Sequence, residues 1–187
     1  MPRSGRRLIA GLLLALLVAP GAGGQTALYE GFEGPDTSWR DVNPGARHRV
    51  RDHRRVQGEA HTGSGCERLK IVGQPGTAVQ LAHPIGRPRV IPELLPPLWG
   101  KSDRAGVQMA VRAVLPRTRD PRTGRPLTVL LGGTRYTDTG RWQQLRVDEV
   151  PRLLASQVRV LRAEFGPQVD PGEAYLDHVL LKAHASA

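Results

Sequence analysis

Turn-forming residues recur at short, fairly regular intervals along this chain, and they constrain its fold more than any other feature. Glycine, proline, asparagine, aspartate and serine cluster at residues 34–36, 43–45, 63–65, 73–76 and 120–124. Short runs of residues lie between these turns, and some of the runs alternate between apolar and polar residues, as strands do. The pattern is typical of an all-β protein, either an antiparallel sandwich or a barrel.

Apolar and polar residues alternate most clearly in three segments, residues 107–113, 142–147 and 158–162. Such alternation buries one face of a strand and leaves the other face, which is rich in arginine here, in water. We therefore predict about nine strands, at residues 27–33, 48–56, 67–72, 77–83, 107–115, 127–131, 141–147, 157–164 and 174–183.

Three segments depart from this alternation. Val150, Leu153 and Leu154 have helical spacing and Pro151 suits a first turn, so we predict one short helix near residues 150–156. Five prolines between residues 84 and 97 exclude a central strand and indicate a long ordered loop. The polar residues 116–126 predict an exposed hairpin loop.

The first 24 residues have the order of a secretory signal peptide. Three arginines precede an apolar run from Leu8 to Ala19, and Pro20 and several small residues follow it. Because this run is shorter than the ~20 apolar residues that span a bilayer, we predict cleavage near Gly24, no membrane span in the mature protein, and a secreted or periplasmic location. The alternative is an uncleaved N-terminal anchor. Residues 25–187 are enough for one domain with its own core.

The formal net charge of +10 is spread along the chain. A nucleic-acid surface would combine a basic patch with interleaved aromatic residues, but only 4% of the residues are aromatic, so we predict no nucleic-acid partner. The single cysteine, Cys66, excludes an intrachain disulfide, and packing or a bound ion must stabilise the fold instead. Cys66 itself fits a buried, small apolar position.

Four segments, taken in order, resemble the jelly-roll carbohydrate-binding modules of the galactose-binding-like superfamily. They are a first strand at residues 29–34 with Trp39 shortly after, a Gly-Ser turn at residues 59–67, a Gly-Arg-Trp strand entry at residues 139–145, and a Tyr-x-Asp closing strand at residues 174–179. The chain is also similar to N-terminal segments of long exported bacterial proteins that continue into a glycoside-hydrolase-like barrel. The resemblance implies a jelly-roll β-sandwich over residues 25–187.

The resemblance also implies a structural calcium ion. Its ligands would be the first-strand carboxylate Glu33, with Glu30 as a substitute, the turn residues Thr62 and Ser64, and Asp177 of the last strand. Calcium takes six to eight oxygen ligands, and such a site would tie the first strand to the last. The alternative is that Glu33 and Asp177 face solvent or pair with arginines.

A glycan or polysaccharide partner follows from the same resemblance, because sugar rings lie over exposed aromatic side chains in such modules. By the resemblance, three aromatic residues belong to the core: Phe32, Trp142 and Tyr175. Three others remain as candidate ligand-binding residues: Trp39, Trp99 and Tyr136. The alternative for Trp99 is burial, the more common position of a tryptophan.

We find no catalytic signature in the sequence. The six histidines lack the spacing of a zinc site, and neither a nucleophile elbow nor a phosphate-binding loop occurs. A small exported hydrolase would need two acids facing each other in a cleft, and nothing in the sequence indicates such a pair. We therefore expect a secreted, non-catalytic, carbohydrate-binding-like module. The alternative is a structural or protein-interaction β-sandwich domain of the cell envelope that binds no sugar, and the oligomeric state is open.

Overall fold

The structure, a computed structural model, describes residues 30–43 and 47–184, so the expected signal peptide at residues 1–24 lies outside the described residues. Within them the chain forms one helix, α1 (Val150–Phe165), and nine strands in antiparallel sheets. The strands are β1 (Arg40–Asp41), β2 (His48–Gln57), β3 (Gly65–Gly73), β4 (Ala78–Pro84), β5 (Pro97–Gly100), β6 (Gln108–Arg119), β7 (Pro126–Arg135), β8 (Gln143–Arg146) and β9 (Tyr175–His184). The predicted all-β fold with one helix is confirmed.

Five of the strands form the main sheet, in the order β1-β4-β9-β6-β7. Alternate residues of β6, namely Met109, Val111 and Ala113, are fully buried on one face of this sheet. The hairpin β2–β3, the pair β5–β8 and helix α1 all contribute side chains to the same hydrophobic cluster. These three elements therefore form the second layer, and the core lies between it and the main sheet.

The other face of the main sheet is only partly apolar. Ala82, Ala110 and Leu180 form a small buried cluster there, with Leu130 beside them. Ala110 lies opposite Leu180, and Leu180 lies opposite Ala82, so the three occupy one row across the sheet. The three side chains pack against one another on this face.

Helix α1 is longer than the sequence predicts, and the strand expected at residues 157–164 is wrong. Val150, Leu154, Val158 and Leu161 are buried and follow the three-to-four-residue spacing of one helical face. Val160, which the strand interpretation pairs with Val158 on a buried face, is 58% exposed. The helical period therefore determines the structure of the whole segment.

Two further predictions about strands need correction. The described part of the first predicted strand, residues 30–33, is not a strand, and the first pairing begins at β1. The loop predicted for residues 84–97 contains only the isolated bridge from Arg89 to Tyr175, but β5 begins at its last proline and pairs with β8.

In the described ranges, no helix is both long and apolar enough to cross a membrane.

Candidate ligand-binding site

Trp99 lies on the solvent-facing side of the β5–β8 pair. In this pair Leu98 is opposite Leu145, and Trp99 is opposite Gln144. Successive residues of a strand point to opposite faces, so the burial of Leu145 in the core places Trp99 and Gln144 on the outer face. Trp99 is 41% exposed, which is unusual for so large an apolar residue.

Two other rings complete a surface group that we call the aromatic cluster: His61, Trp99 and Trp142. The imidazole of His61 stacks on the Trp99 indole, with ring centroids 3.6 Å apart and planes inclined by 12°. The edge of Trp142 approaches the same imidazole, with centroids 6.0 Å apart and planes inclined by 66°. The edge-to-face contact between His61 and Trp142 is a favoured geometry for aromatic pairs. The cluster therefore combines three segments that are distant in sequence.

The turn between β2 and β3 holds His61 in place. Gly58 N donates to Ser64 O at 2.8 Å and closes the turn. The Glu33 carboxylate accepts hydrogen bonds from Ser64 Oγ at 2.5 Å and from Ser64 N at 2.9 Å, and the amide of Gly65 also donates to it. These bonds, that from Ser64 Oγ above all, lower the pKa of Glu33. An added side chain at Gly63, which has φ 74°, would clash with Glu33.

Glu67 fastens the N-terminal segment to the same hairpin. Its side chain is nearly fully buried, and it accepts hydrogen bonds from the amides of Ser38 and Trp39 at 3.0 Å and from His53 Nε2 at 2.5 Å. Arg55 lies 3.3 Å from the carboxylate. Burial raises the pKa of Glu67, but the hydrogen bonds from His53 and the two amides outweigh it and leave the pKa lowered.

The structure buries two of the three predicted ligand-binding aromatics. Trp39 is 4% exposed and packs against the ring of His83, with centroids 5.4 Å apart. Tyr136 is 1% exposed, and its hydroxyl donates to one of three backbone carbonyls that lie within 3.0 Å: those of Ser102, Asp138 and Arg141. Of the predicted set only Trp99 is available to a ligand.

The aromatic residues expected in the core are only partly buried. Phe32 packs against the core cluster, with the Arg55 guanidinium 5.0 Å from its ring centroid. Tyr175 is half-buried beneath Arg87. Trp142 does not belong to the core cluster: it is half-buried beside His61, just before β8 begins. The expected core position of Trp142 is therefore wrong.

Cys66 is the second residue of β3 and lies on the outer face of the β2–β3 hairpin. It is opposite Val56 in the hairpin register and is half-buried. Burial raises the pKa of the Cys66 thiol, the charge of Glu59 raises it further, and the charges of Arg68 and Lys101 oppose that shift. Arg68 belongs to the hairpin, and Lys101 follows Trp99 by two residues. The pKa of the thiol is therefore affected by charges from the hairpin and from the segment after β5.

The four predicted calcium ligands do not come together as expected. Glu33 and Ser64 are in contact, whereas no hydrogen bond links Thr62 to either of them among the described residues. Both carboxylate oxygens of Asp177 accept hydrogen bonds from Arg112, at 2.8 and 2.7 Å. Burial raises the pKa of Asp177, but the hydrogen bonds from Arg112 and His178 outweigh it and lower the pKa.

A calcium ion at Asp177 would have to displace this guanidinium, which already neutralises the carboxylate. Among residues 30–43 and 47–184, no three histidine, cysteine or acidic side chains are placed to hold a metal ion. The residues therefore do not fit the calcium site in the form that the sequence predicts, and calcium binding itself stays a prediction.

Sequence reasoning missed His61 and Trp142 as members of the site. His61 is adjacent to the turn residues that the sequence does single out, and Trp142 lies near the start of the strand predicted at residues 141–147. No local pattern connects either residue to Trp99. Trp142 comes near Trp99 through the pairing of β5 with β8, more than 40 residues apart in the chain, and His61 reaches it from the β2–β3 turn. In comparisons with known proteins, no family model matches the chain, and no curated protein or solved structure is significantly similar to it.

Proposed function

We propose that this protein is a non-catalytic carbohydrate-binding module whose glycan lies on the aromatic cluster. The observation that carries the proposal is the exposed indole of Trp99, held on the outer face of a strand pair and stacked on His61. An aromatic ring of this kind offers a flat apolar surface to the C–H face of a sugar. Gln144, directly opposite Trp99, offers an amide that can donate to and accept from sugar hydroxyls.

The fold holds the aromatic cluster in its binding geometry before a glycan arrives. Trp99 lies on a strand, and His61 lies in a turn that Glu33 closes. Because these groups are already ordered by the fold, little side-chain freedom would be lost when a glycan binds. Residues 1–24 predict that binding takes place outside the cytoplasm.

The four acids with shifted pKa values do not suit acid catalysis of glycoside hydrolysis. A glycosidase needs one carboxylic acid with a raised pKa to protonate the leaving group. Four acids of the described chain have a clearly shifted pKa, and each is shifted downward: Glu33, Glu67, Glu173 and Asp177. Such groups stay ionised near neutral pH and are poor proton donors.

Thermal unfolding of the whole protein against a panel of soluble polysaccharides tests this proposal, because a ligand that binds only the folded state raises the unfolding midpoint. We expect a rise with at least one polysaccharide, and Trp99→Ala should weaken binding by about tenfold or more. Trp99→Phe should retain part of the affinity.

Val160→Ala is the matched control, since it shortens an exposed apolar side chain on helix α1 without touching the cluster. If Trp99→Ala binds every polysaccharide as the parent does, the aromatic cluster is not the site. If no polysaccharide raises the midpoint, the carbohydrate-binding proposal fails, and the structural or protein-interaction domain becomes the better interpretation.

A further inference from the structure

The outer face of the β2–β3 hairpin carries an unusual concentration of positive charge. We define this basic face by five exposed or half-exposed cationic side chains: Arg49, Arg51, Arg54, Arg68 and Lys70. One acid, Asp52, lies among them, 3.3 Å from Arg54 and 3.4 Å from Arg68. Five cations and one acid leave this face with a strong net positive charge.

Several arginines elsewhere on the described surface are neutralised by nearby acids at 2.7–3.0 Å. Examples are the pairs Arg117–Glu173, Arg122–Glu164, Arg146–Asp148 and Arg152–Glu149. On the basic face, by contrast, Arg49, Arg51 and Lys70 have no side-chain ion pair within the described ranges. Their charges are available to an anionic ligand.

The hairpin register places like charges opposite each other. Arg54 lies directly across from Arg68, and like charges at opposite positions of an antiparallel pair destabilise it. Asp52 relieves only part of this repulsion, because it can balance one of the two guanidinium charges. A bound anion would remove the remainder, so this arrangement favours the bound state.

The basic face leads toward the aromatic cluster through the β2–β3 turn, since His61 of that turn stacks on Trp99. Cys66 lies on the same side of the hairpin as Arg68, two residues away along β3, and its thiol responds to the charges of Arg68 and Lys101. Lys101 in turn is two residues from Trp99. From Arg49 to Val56 the face extends about 24 Å, at about 3.4 Å per residue, which suits an extended polymer better than a single sugar.

We infer that the glycan bound by this protein is an acidic polysaccharide, with carboxylate or sulfate groups on the basic face and a sugar ring on Trp99. This inference rests on the proposed function and specifies the chemical class of its ligand. Arginine is well suited to this role because its planar guanidinium binds carboxylate and sulfate oxygens in pairs. Single-stranded nucleic acid fits less well, because it binds where aromatic rings alternate with cations, and no ring lies among the five cations of the basic face.

Binding to two charge-matched pairs of polymers tests the inference on the whole protein. The first pair is polygalacturonate and its fully methyl-esterified, neutral form, and the second is dextran sulfate and dextran. We expect at least one acidic polymer to bind about tenfold or more tightly than its neutral partner in low salt, and the difference to shrink as salt screens the charges. The carboxylated and sulfated arms show which anion is preferred.

The double variant Arg49→Gln/Lys70→Gln removes two cations of the basic face that have no ion pair to lose. The matched control, Arg125→Gln/Arg159→Gln, removes the same charge from the β6–β7 turn and helix α1. We expect the first variant to bind the acidic polymer about tenfold more weakly and the control to bind it within about twofold of the parent. Both variants should unfold at nearly the parental temperature.

Three results would overturn the inference. If neutral and acidic partners bind equally and Trp99→Ala abolishes both, the carbohydrate-binding proposal stands but the acidic ligand class is wrong. If single-stranded DNA binds as tightly as the acidic polysaccharide and Trp99→Ala has no effect, the basic face is a general polyanion surface. If no polymer binds at all, the inference and the proposed function fail together.

Discussion

The indole of Trp99 and the imidazole of His61 lie parallel, 3.6 Å apart, on the surface of the second layer. This contact joins the β2–β3 turn to the β5–β8 pair. His61→Ala should therefore leave Trp99 more exposed, shift the tryptophan emission to longer wavelength and weaken glycan binding several-fold. Unchanged emission and unchanged affinity would contradict the stacked arrangement.

Glu67 should contribute more to stability than any exposed acid of this chain. Replacing a buried, hydrogen-bonded carboxylate leaves its donors unsatisfied, so Glu67→Gln should lower the free energy of unfolding by about 2–4 kcal/mol. The control is Glu164→Gln, which removes an exposed acid that pairs with Arg122 and should cost less than about 1 kcal/mol. Urea unfolding measures both values, and equal effects would be inconsistent with the buried network.

The lowered pKa of Glu67 also predicts a pH dependence. The ordinary pKa of a glutamate is about 4.3, and in the folded protein it is lower. The contribution of Glu67 to stability is therefore complete above about pH 4.3 and is lost as the pH falls through the folded pKa. We expect unfolding free energy to drop steeply below pH 4 in the parent and less steeply in Glu67→Gln. If the unfolding free energies of the parent and of Glu67→Gln fall in parallel with pH, the lowered pKa of Glu67 is contradicted.

Asp177→Ala separates the two interpretations of this residue. Because Asp177 pairs with Arg112, its removal should destabilise the protein by about 1–3 kcal/mol whether calcium or a chelator is present. Thermal unfolding under both conditions measures this. A loss seen only in calcium would instead support the calcium site that the sequence predicts.

Gly133 should tolerate no side chain. A Cβ atom there would overlap the carbonyl oxygen of Arg146 on β8, which is backbone and cannot rotate away. Gly133→Ala should therefore cost about 1–3 kcal/mol or more. Gly132→Ala is the neighbouring control, since its nearest contact is the flexible Gln108 amide at 3.1 Å. Similar unfolding midpoints for the two variants would contradict the close approach of β7 and β8.

Alkylation of Cys66 reports on both its burial and the proposed ligand. Because burial and Glu59 raise the pKa of the thiol, iodoacetamide should react more slowly with the folded protein at pH 8 than with the urea-unfolded chain. A bound acidic polysaccharide should slow the reaction further, because Cys66 lies on the same face of the hairpin as Arg68. Equal rates in folded and unfolded protein would show that the thiol is freely exposed.

Most of the fold follows from local patterns in the sequence. The alternation of residues 107–113 predicts β6, and its buried Val111 and Ala113 confirm the assignment. Residues 158–162 show where such reasoning fails: they alternate as a strand would, yet they continue the helical spacing of Val150 and Leu154. Only the longer repeat distinguishes the two, and five residues are too few to reveal it.

The candidate site is less predictable, because its residues meet only through long-range pairing. A proline-rich stretch conceals β5, and β5 is only four residues long. Trp99 could therefore be assigned to the surface or to the core with equal reason. Trp39 and Tyr136 are buried because His83 and a ring of backbone carbonyls receive them, and no local sequence pattern indicates these partners.

The position of β9 has a consequence for how the protein reaches this structure. The last strand of the described residues lies in the middle of the main sheet, between β4 and β6. Until residues 175–184 have emerged from the ribosome, β4 and β6 each lack one of their two neighbours, and two strand edges stay open. Folding is therefore expected to be late and slow, with pairing over long sequence separations. A nascent chain that waits in this state would depend on chaperones to avoid aggregation.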